Sequence, residues 1–443
     1  MPTSQPSTAA GGVPDGIIAF VLAVAIVAAA GWAVRVSAQH AATRRLALLT
    51  SADVPFKFQT LAFQRAALES GHVLPLYGSS ELFCCGRPFR PTDVFASGPT
   101  GFEVLALGHA GTTDLFFAQI FAALGTELRG RRVVVSDSPS WFSNPDGPAP
   151  AQYGSNFQSE AAYAFTFGAP IPPALRSAGA RRLLKYPETL REQPLLRRAL
   201  EDVAHPTRVA RADYAALAPL GRLATWTLDV RDATRAAFFL WQTRHRGATV
   251  GSPGPLDWDA MAERATRMAA AESTTNPFGF TDADYRVLRG RPRVRDAMAL
   301  YESGRNNRDG ELLRLPRAWR RNVAHSAEWN DLRLALHVLR AVGARPLVWS
   351  LPLPGTYYDY TPISAPARRR YYRRYERIAT RAGFPHLDFR SHDEDRYFVE
   401  DPGSHLSARG WVFADRALDV FWHGGSVGDV RTALATLRRH EPG

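Results

Sequence analysis

The first candidate for chemistry is Ser80, in Val73-Leu74-Pro75-Leu76-Tyr77-Gly78-Ser79-Ser80-Glu81-Leu82-Phe83. An apolar run ends at a glycine, two hydroxyl residues follow, and a helix-compatible Glu-Leu-Phe comes next, which is how a strand delivers a side chain to the tip of an open sheet. Amides at such a turn point outward and can stabilise negative charge on an acyl oxygen. A Gly-Ser-Ser stretch alone is equally a plain turn. The partners a serine nucleophile needs stand far downstream, in Glu400-Asp401-Pro402-Gly403-Ser404-His405-Leu406-Ser407-Ala408-Arg409-Gly410-Trp411. His405 as base and Asp401 as its orienting carboxylate share one short loop ahead of an amphipathic segment, Phe413 to Phe421. A second histidine, His109, lies in Gly108-His109-Ala110-Gly111-Thr112-Thr113-Asp114 and reads as a solvated or cap-bonding turn residue as readily as a base.

These blocks resemble the D-alanyl transfer (DltD) family, a membrane-anchored group related to the SGNH hydrolases, whose members share Gly-Ser-Ser-Glu-Leu near the start and Asp-x-x-His-Leu-x-x-x-Gly-Trp near the end. Between them Ser138-Pro139-Ser140-Trp141-Phe142, Asn276-Pro277-Phe278-Gly279, Glu328-Trp329-Asn330-Asp331-Leu332 and Pro354-Gly355-Thr356-Tyr357-Tyr358-Asp359-Tyr360-Thr361 follow in family order, so the resemblance spans roughly residues 70 to 425. It implies Ser80 as the nucleophile, with Ser79 a turn or cap residue. It also implies an oxyanion hole from the Ser80 amide and a glycine amide, Gly111 or else Gly108. The chain departs from the pattern twice. Three residues, not two, separate Asp401 from His405, which leaves Glu400 as an alternative orienting acid; and the asparagine donor of ordinary SGNH esterases is replaced by the Ser-Pro-Ser-Trp-Phe block. Trp141, Tyr358 and Asp359 are candidates for substrate contact, Trp141 and Phe142 being equally suited to the core beneath the sheet edge.

The implied activity is transfer of D-alanine to an anionic envelope polymer of teichoic-acid type through an acyl-serine. An MBOAT-type membrane acyltransferase is the implied partner, with an acyl carrier protein as a second candidate. Three other readings fit: an SGNH-like acetyltransferase or esterase on exopolysaccharide, a cytoplasmic thioesterase, and a non-catalytic membrane-anchored scaffold. No metal-ligand spacing, phosphate loop or nucleotide fingerprint is present, so neither metal nor cofactor is expected.

The elements that must position these residues read as α/β. Val73–Tyr77, Phe102–Leu107, Arg132–Ser136 and Pro346–Ser350 are apolar strands, the last preceded by an amphipathic helix at Asp331–Val342. A parallel sheet flanked by helices follows, with an SGNH-like domain over 70–443. A helical insertion is expected at about 150–320, with helices at Pro194–Val203, Thr234–Thr243 and Asp257–Ala271. Ahead of it come a tail (1–15), an apolar run (16–34) and a juxtamembrane stretch (35–69). At about 1.5 Å per residue the run reaches roughly 28 Å, enough for a bilayer core. It is long for a signal peptide and no basic residue precedes it, although Val36-Ser37-Ala38 would pass as a cleavage site. Arg35, Arg44 and Arg45 after the span would by charge alone keep the domain cytoplasmic; the resemblance places it outside.

A net charge of +12 on 443 residues, beside an anchor, points to anionic lipid or polymer and away from nucleic acid. The densest stretch, Arg368-Arg369-Arg370-Tyr371-Tyr372-Arg373-Arg374-Tyr375, would spread arginines and tyrosines around most of a helix. The two cysteines, Cys84 and Cys85, rule out a disulfide framework and read as two packed thiols near the site, with an acyl-accepting or redox role as the alternative.

Overall fold

The computed structural model describes residues 15–51, 57–248, 255–275, 319, 321–358, 364–401, 403 and 405–437. Five parallel strands form one sheet: β1 (Val73–Gly78), β2 (Glu103–Gly108), β3 (Arg132–Asp137), β4 (Arg345–Ser350) and β5 (His386–Asp388). Their order is β2-β1-β3-β4-β5. The chain moves from β1 to one side and then returns past it to the other, so the carboxyl end of β1 is the topological switch point, where open α/β sheets hold their ligands.

Every residue of β1 is buried, as expected of a parallel strand covered on both faces. Alternation then sorts its side chains. Val73 and Tyr77 enter one core with Val133, Val135 and Val348, while Leu74 and Leu76 enter the other with Val134, Leu347 and Trp349. The first face is covered by α2 (Leu61–Ser70), α3 (Asp114–Leu124), α8 (Glu328–Val342) and α9 (Ala365–Ala382). The second is covered by α7 (Trp258–Thr275), α10 (Ala408–Trp422) and α11 (Val427–Leu437).

Between β3 and β4 the chain builds α4 (Pro173–Leu183), α5 (Pro194–Ala204), α6 (Arg208–Gln242) and α7. The expected helix at Thr234–Thr243 is the end of the 35-residue α6. Pro219 and Gly221 read as breaks in the sequence, yet Pro219 is exposed and Gly221 is buried against the Phe167 ring, where an added Cβ would stand 2.2 Å away. The N-terminal helix α1 (Asp15–Arg44) also outruns the expected apolar run, because Ala38 and Ala42 beyond it are fully buried. Gly16–Arg44 is one helix long and apolar enough to cross a membrane.

Two further expectations are corrected. Helix α9 does not spread its tyrosines round its circumference: Tyr371, Tyr372 and Tyr375 all turn inward, and Arg368 is buried with them while the other arginines face outward or to the flank. Burial is tolerable because each hydroxyl has a partner, Ser350 Oγ at 3.0 Å, Asp393 Oδ1 at 2.6 Å and Asp137 Oδ2 at 2.6 Å respectively. The cysteines are not separate thiols but a vicinal disulfide, Cys84–Cys85.

Candidate active site

The turn after β1 is fixed by Glu81 and by the turn after β2. Glu81, only 2 % exposed, folds back so that its Oε1 accepts the Ser79 N–H at 2.7 Å. A side chain at Gly78 would block this fold, its Cβ falling 2.4 Å from Glu81 Oε1. The turn after β2 lies alongside. Thr112 Oγ1 donates to the Gly78 carbonyl at 2.7 Å, Ser79 Oγ donates to the His109 carbonyl at 3.1 Å, and the Gly111 amide donates to Ser79 Oγ at 3.0 Å. Ser79 is thereby spent on the backbone, and Ser80, half-buried at the start of a short 3-10 turn, is left to face the cleft.

What it meets there comes from the C-terminal end. Ser80 Oγ is 2.9 Å from His405 Nε2, and His405 Nδ1 is 2.5 Å from Asp401 Oδ2. The His405 amide donates to the other Asp401 oxygen at 3.3 Å. The loop that carries both is pinched by an antiparallel bridge, Val399 to Leu406, and by the Glu400 amide donating to the His405 carbonyl at 2.9 Å. This pinch lets the extra residue between Asp401 and His405 be accommodated while the carboxylate still reaches the ring.

The Gly410-Trp411 pair locks this loop to the serine turn. A Cβ at Gly410 would stand 2.2 Å from the Phe398 carbonyl oxygen, and the fully buried Trp411 fills the place a Cβ of Gly86 would take, at 2.4 Å. Ser407 caps α10 by accepting from the Gly410 amide at 3.2 Å. Ser138, after β3, donates to the Gly403 carbonyl at 3.2 Å and closes the third side.

Burial opposes a charge on His405. The Asp401 hydrogen bond and the negative charges of Asp401, Glu81 and Glu400 outweigh it and raise the imidazole above its ordinary value. Burial likewise pushes Glu81 up, against the Ser79 amide and the nearby His405. Glu400 is pushed up to about 7, by burial first and then by Glu272 and Asp401. A hydroxyl, a ring nitrogen in reach of it and a carboxylate on the far nitrogen are the groups that a serine nucleophile, its base and an orienting acid require.

The remaining expected residues fall as follows. Gly108 ends β2 opposite Gly78 and stands so close that an added Cβ would lie 2.3 Å from the Gly78 oxygen. Gly111, at φ +84°, holds the conformation that favours glycine, with its amide engaged by Ser79. His109 is exposed and enters through its backbone carbonyl; the ring at Ser80 is that of His405. Trp141 is half-buried against Phe117, and Tyr358 packs partly against the same core. Asp359 lies outside the described residues. Sequence reasoning missed Gln152 and Asn156, one helical turn apart, which back the Gly111 turn. Asn156 Nδ2 donates to the Ala110 carbonyl at 3.1 Å, and Gln152 Nε2 lies 2.0 Å from where a Gly111 Cβ would be. Nothing in their local sequence marks them.

The profile of the DltD protein family matches residues 54–423 of this chain. The chain belongs to the DltD family. It is 26 % identical over 386 residues to protein DltD of Bacillus subtilis, covering 84 % of this chain and 88 % of the relative. It is 24 % identical over 353 residues to protein DltD of Staphylococcus aureus (79 % and 81 % covered) and 26 % identical over 393 residues to that of Lacticaseibacillus rhamnosus (83 % and 86 %). Membership ties the chain to D-alanyl transfer at the cell envelope, in keeping with an N-terminal helix fit to anchor it.

Proposed function

We propose that this DltD-family chain is a membrane-anchored serine acyltransferase of SGNH type, with its domain on the extracytoplasmic side. The observation that carries the reading is the continuous contact Asp401–His405–Ser80, assembled from residues 325 positions apart at the switch point of the sheet. Ser80 Oγ attacks an activated acyl carbonyl while His405 Nε2 takes its proton. The tetrahedral intermediate collapses, the donor's heteroatom leaves with that proton, and an acyl-serine remains. An acceptor hydroxyl then attacks, giving its proton to His405, which returns it to Ser80.

The oxyanion is met by the Ser80 amide at the start of its turn, with the Gly111 amide available once it exchanges Ser79 Oγ for substrate oxygen. Family membership supports D-alanine as the acyl group, a teichoic-acid-like polymer as acceptor and an MBOAT-type membrane acyltransferase as partner. Trp141 and Tyr358 are proposed to border the substrate cleft.

Intact mass of the full chain in detergent after a serine-directed fluorophosphonate tests the reading. A single adduct is expected, lost in Ser80→Ala and kept in Ser79→Ala. A chain that stays unmodified would sink the acyl-serine mechanism and leave a scaffold that binds the acyltransferase.

A further inference from the structure

Among the described residues, every large apolar side chain that stands well exposed lies on one of two helices, α1 and α6. Exposure on α1 belongs to its apolar run. On α6 it has no such explanation, since this helix belongs to the folded domain, yet Leu220 and Leu223 are each 58 % exposed. They sit in Tyr214–Leu228, where Arg222 is the sole charged residue between Asp213 and Asp229. At about 1.5 Å per residue this stretch is roughly 22 Å long, too short to span a bilayer and of the length of an interfacial segment.

The packing of α6 on α1 fixes its height. The Trp226 ring fills the place of a Gly31 side chain, 2.4 Å from where its Cβ would be; Arg35 Nε meets Asp229 Oδ2 at 2.5 Å; and Arg45 Nη2 donates to the Thr243 carbonyl at 2.9 Å. Residue numbers rise together along these three contacts, so the helices run parallel. Going down α1 from Gly31 leads into the apolar run, and going down α6 from Trp226 therefore leads toward the same bilayer.

Trp32, 64 % exposed near the end of that run, suits the aromatic belt of a membrane surface, and Trp226 stands at the same height. Leu223 and Leu220 lie one and two turns deeper. The two helices part below this point, since residues 16–30 of α1 are all exposed, so α6 does not follow α1 across. Pro219, which removes one helical hydrogen bond, lies about two turns below Trp226. Arg222 can lift its guanidinium to anionic head groups while its stem stays in the apolar layer. Phe238 and Trp241, roughly 27 Å farther along α6 on the same rise, stack on each other outside this surface.

We infer that the Tyr214–Leu228 stretch of α6 is a second membrane contact, lying in the lipid interface beside the anchor with Leu220 and Leu223 immersed. The inserted helices then face the bilayer, and the domain is held by two points instead of swinging on one helix. This goes beyond the acyl-transfer reading and is independent of Ser80.

Spin labels on the full chain in nanodiscs of phosphatidylglycerol and phosphatidylethanolamine test it, at Leu220→Cys, Leu223→Cys, Val24→Cys and Ala435→Cys in turn, with Cys84→Ser and Cys85→Ser throughout. Collision with oxygen, which enters lipid, is compared with collision with a water-soluble nickel chelate. Labels at 220 and 223 are expected to favour oxygen, as at Val24 in the anchor, while Ala435, exposed on the opposite face of the sheet, favours nickel. The inference is overturned if 220 and 223 behave like Ala435, or if they are shielded from both reagents, which would mean a protein covers them. A Val24 label open to nickel would overturn it as well, through the anchor.

Discussion

At the scale of single residues the decisive choice is between carboxylates. Asp401 and Glu400 are neighbours, but only Asp401 has an oxygen on His405 Nδ1. Replacing it by Asn would allow the wrong tautomer and leave the imidazolium unsupported. On the acyl-serine reading, Asp401→Asn is expected to lower the acylation rate by about 10³–10⁴-fold, measured by stopped-flow with an activated ester. The pH profile separates this from mere misfolding. On that reading His405 must be neutral to act as base, and its value is raised, so wild-type activity is expected to be lost as pH falls through a midpoint above the ordinary 6.5. Removing the Asp401 charge should move that midpoint down; a midpoint that stays in place would argue that Asp401 does not face the base.

Between elements, the site depends on how closely β1 and β2 approach at their carboxyl ends. Gly78 and Gly108 are register partners, and Gly108 has the Gly78 carbonyl where its own side chain would be. Because the obstacle is backbone, Gly108→Ala has to spread the strands. An expected loss of about 1–3 kcal/mol in unfolding free energy follows, together with loss of fluorophosphonate labelling, since the Ser79–His109–Gly111 hydrogen bonds bridge the same two turns. Arg182 on α4 grips Asp331 on α8 through two bonds, 2.6 Å and 2.7 Å, with the Asp331 side chain fully buried. Arg182→Met strands that carboxylate and is expected to cost about 3–5 kcal/mol in a denaturant melt; a near-neutral result would mean that Asp331 is protonated without its partner.

For the whole molecule, buried acids govern the dependence of stability on pH. Burial pushes Asp232 up to about 6 and Asp137 and Asp393 up to about 7, and Asp114 and Glu328 lie well above the usual carboxylate range for the same reason, with neighbouring carboxylates adding to it. Raised values keep protons on these groups in the folded chain that the unfolded chain releases near 3.8 for the aspartates and 4.5 for Glu328. Their stabilisation is complete below those values and is lost as pH rises through about 6 to 7. The urea midpoint of the detergent-solubilised chain is therefore expected to fall between pH of about 5 and about 8, and Asp137→Asn, which can still accept from Tyr375, should flatten that fall. A midpoint that climbs over this range would show that these acids are charged in the folded state.

The sequence by itself determined what local pattern can carry. Four apolar runs became strands within a residue or so of their expected bounds, and the unbroken run after Gly16 became a helix fit to cross a bilayer, because burial on both faces or in lipid leaves no room for polar positions. The Gly-Ser-Ser turn and the Asp401–His405 loop were visible as types and spacings. Only the tertiary structure decided which hydroxyl faces the histidine, since Ser79 is taken by the backbone of a turn thirty residues away, and which acid reaches the ring across an irregular spacing. It also turned the tyrosines of α9 inward and kept α6 helical through Pro219 and Gly221. The three-residue β5, after Pro385, was too short to be seen. Such outcomes rest on partners far off in the chain, and no window of neighbouring residues contains them.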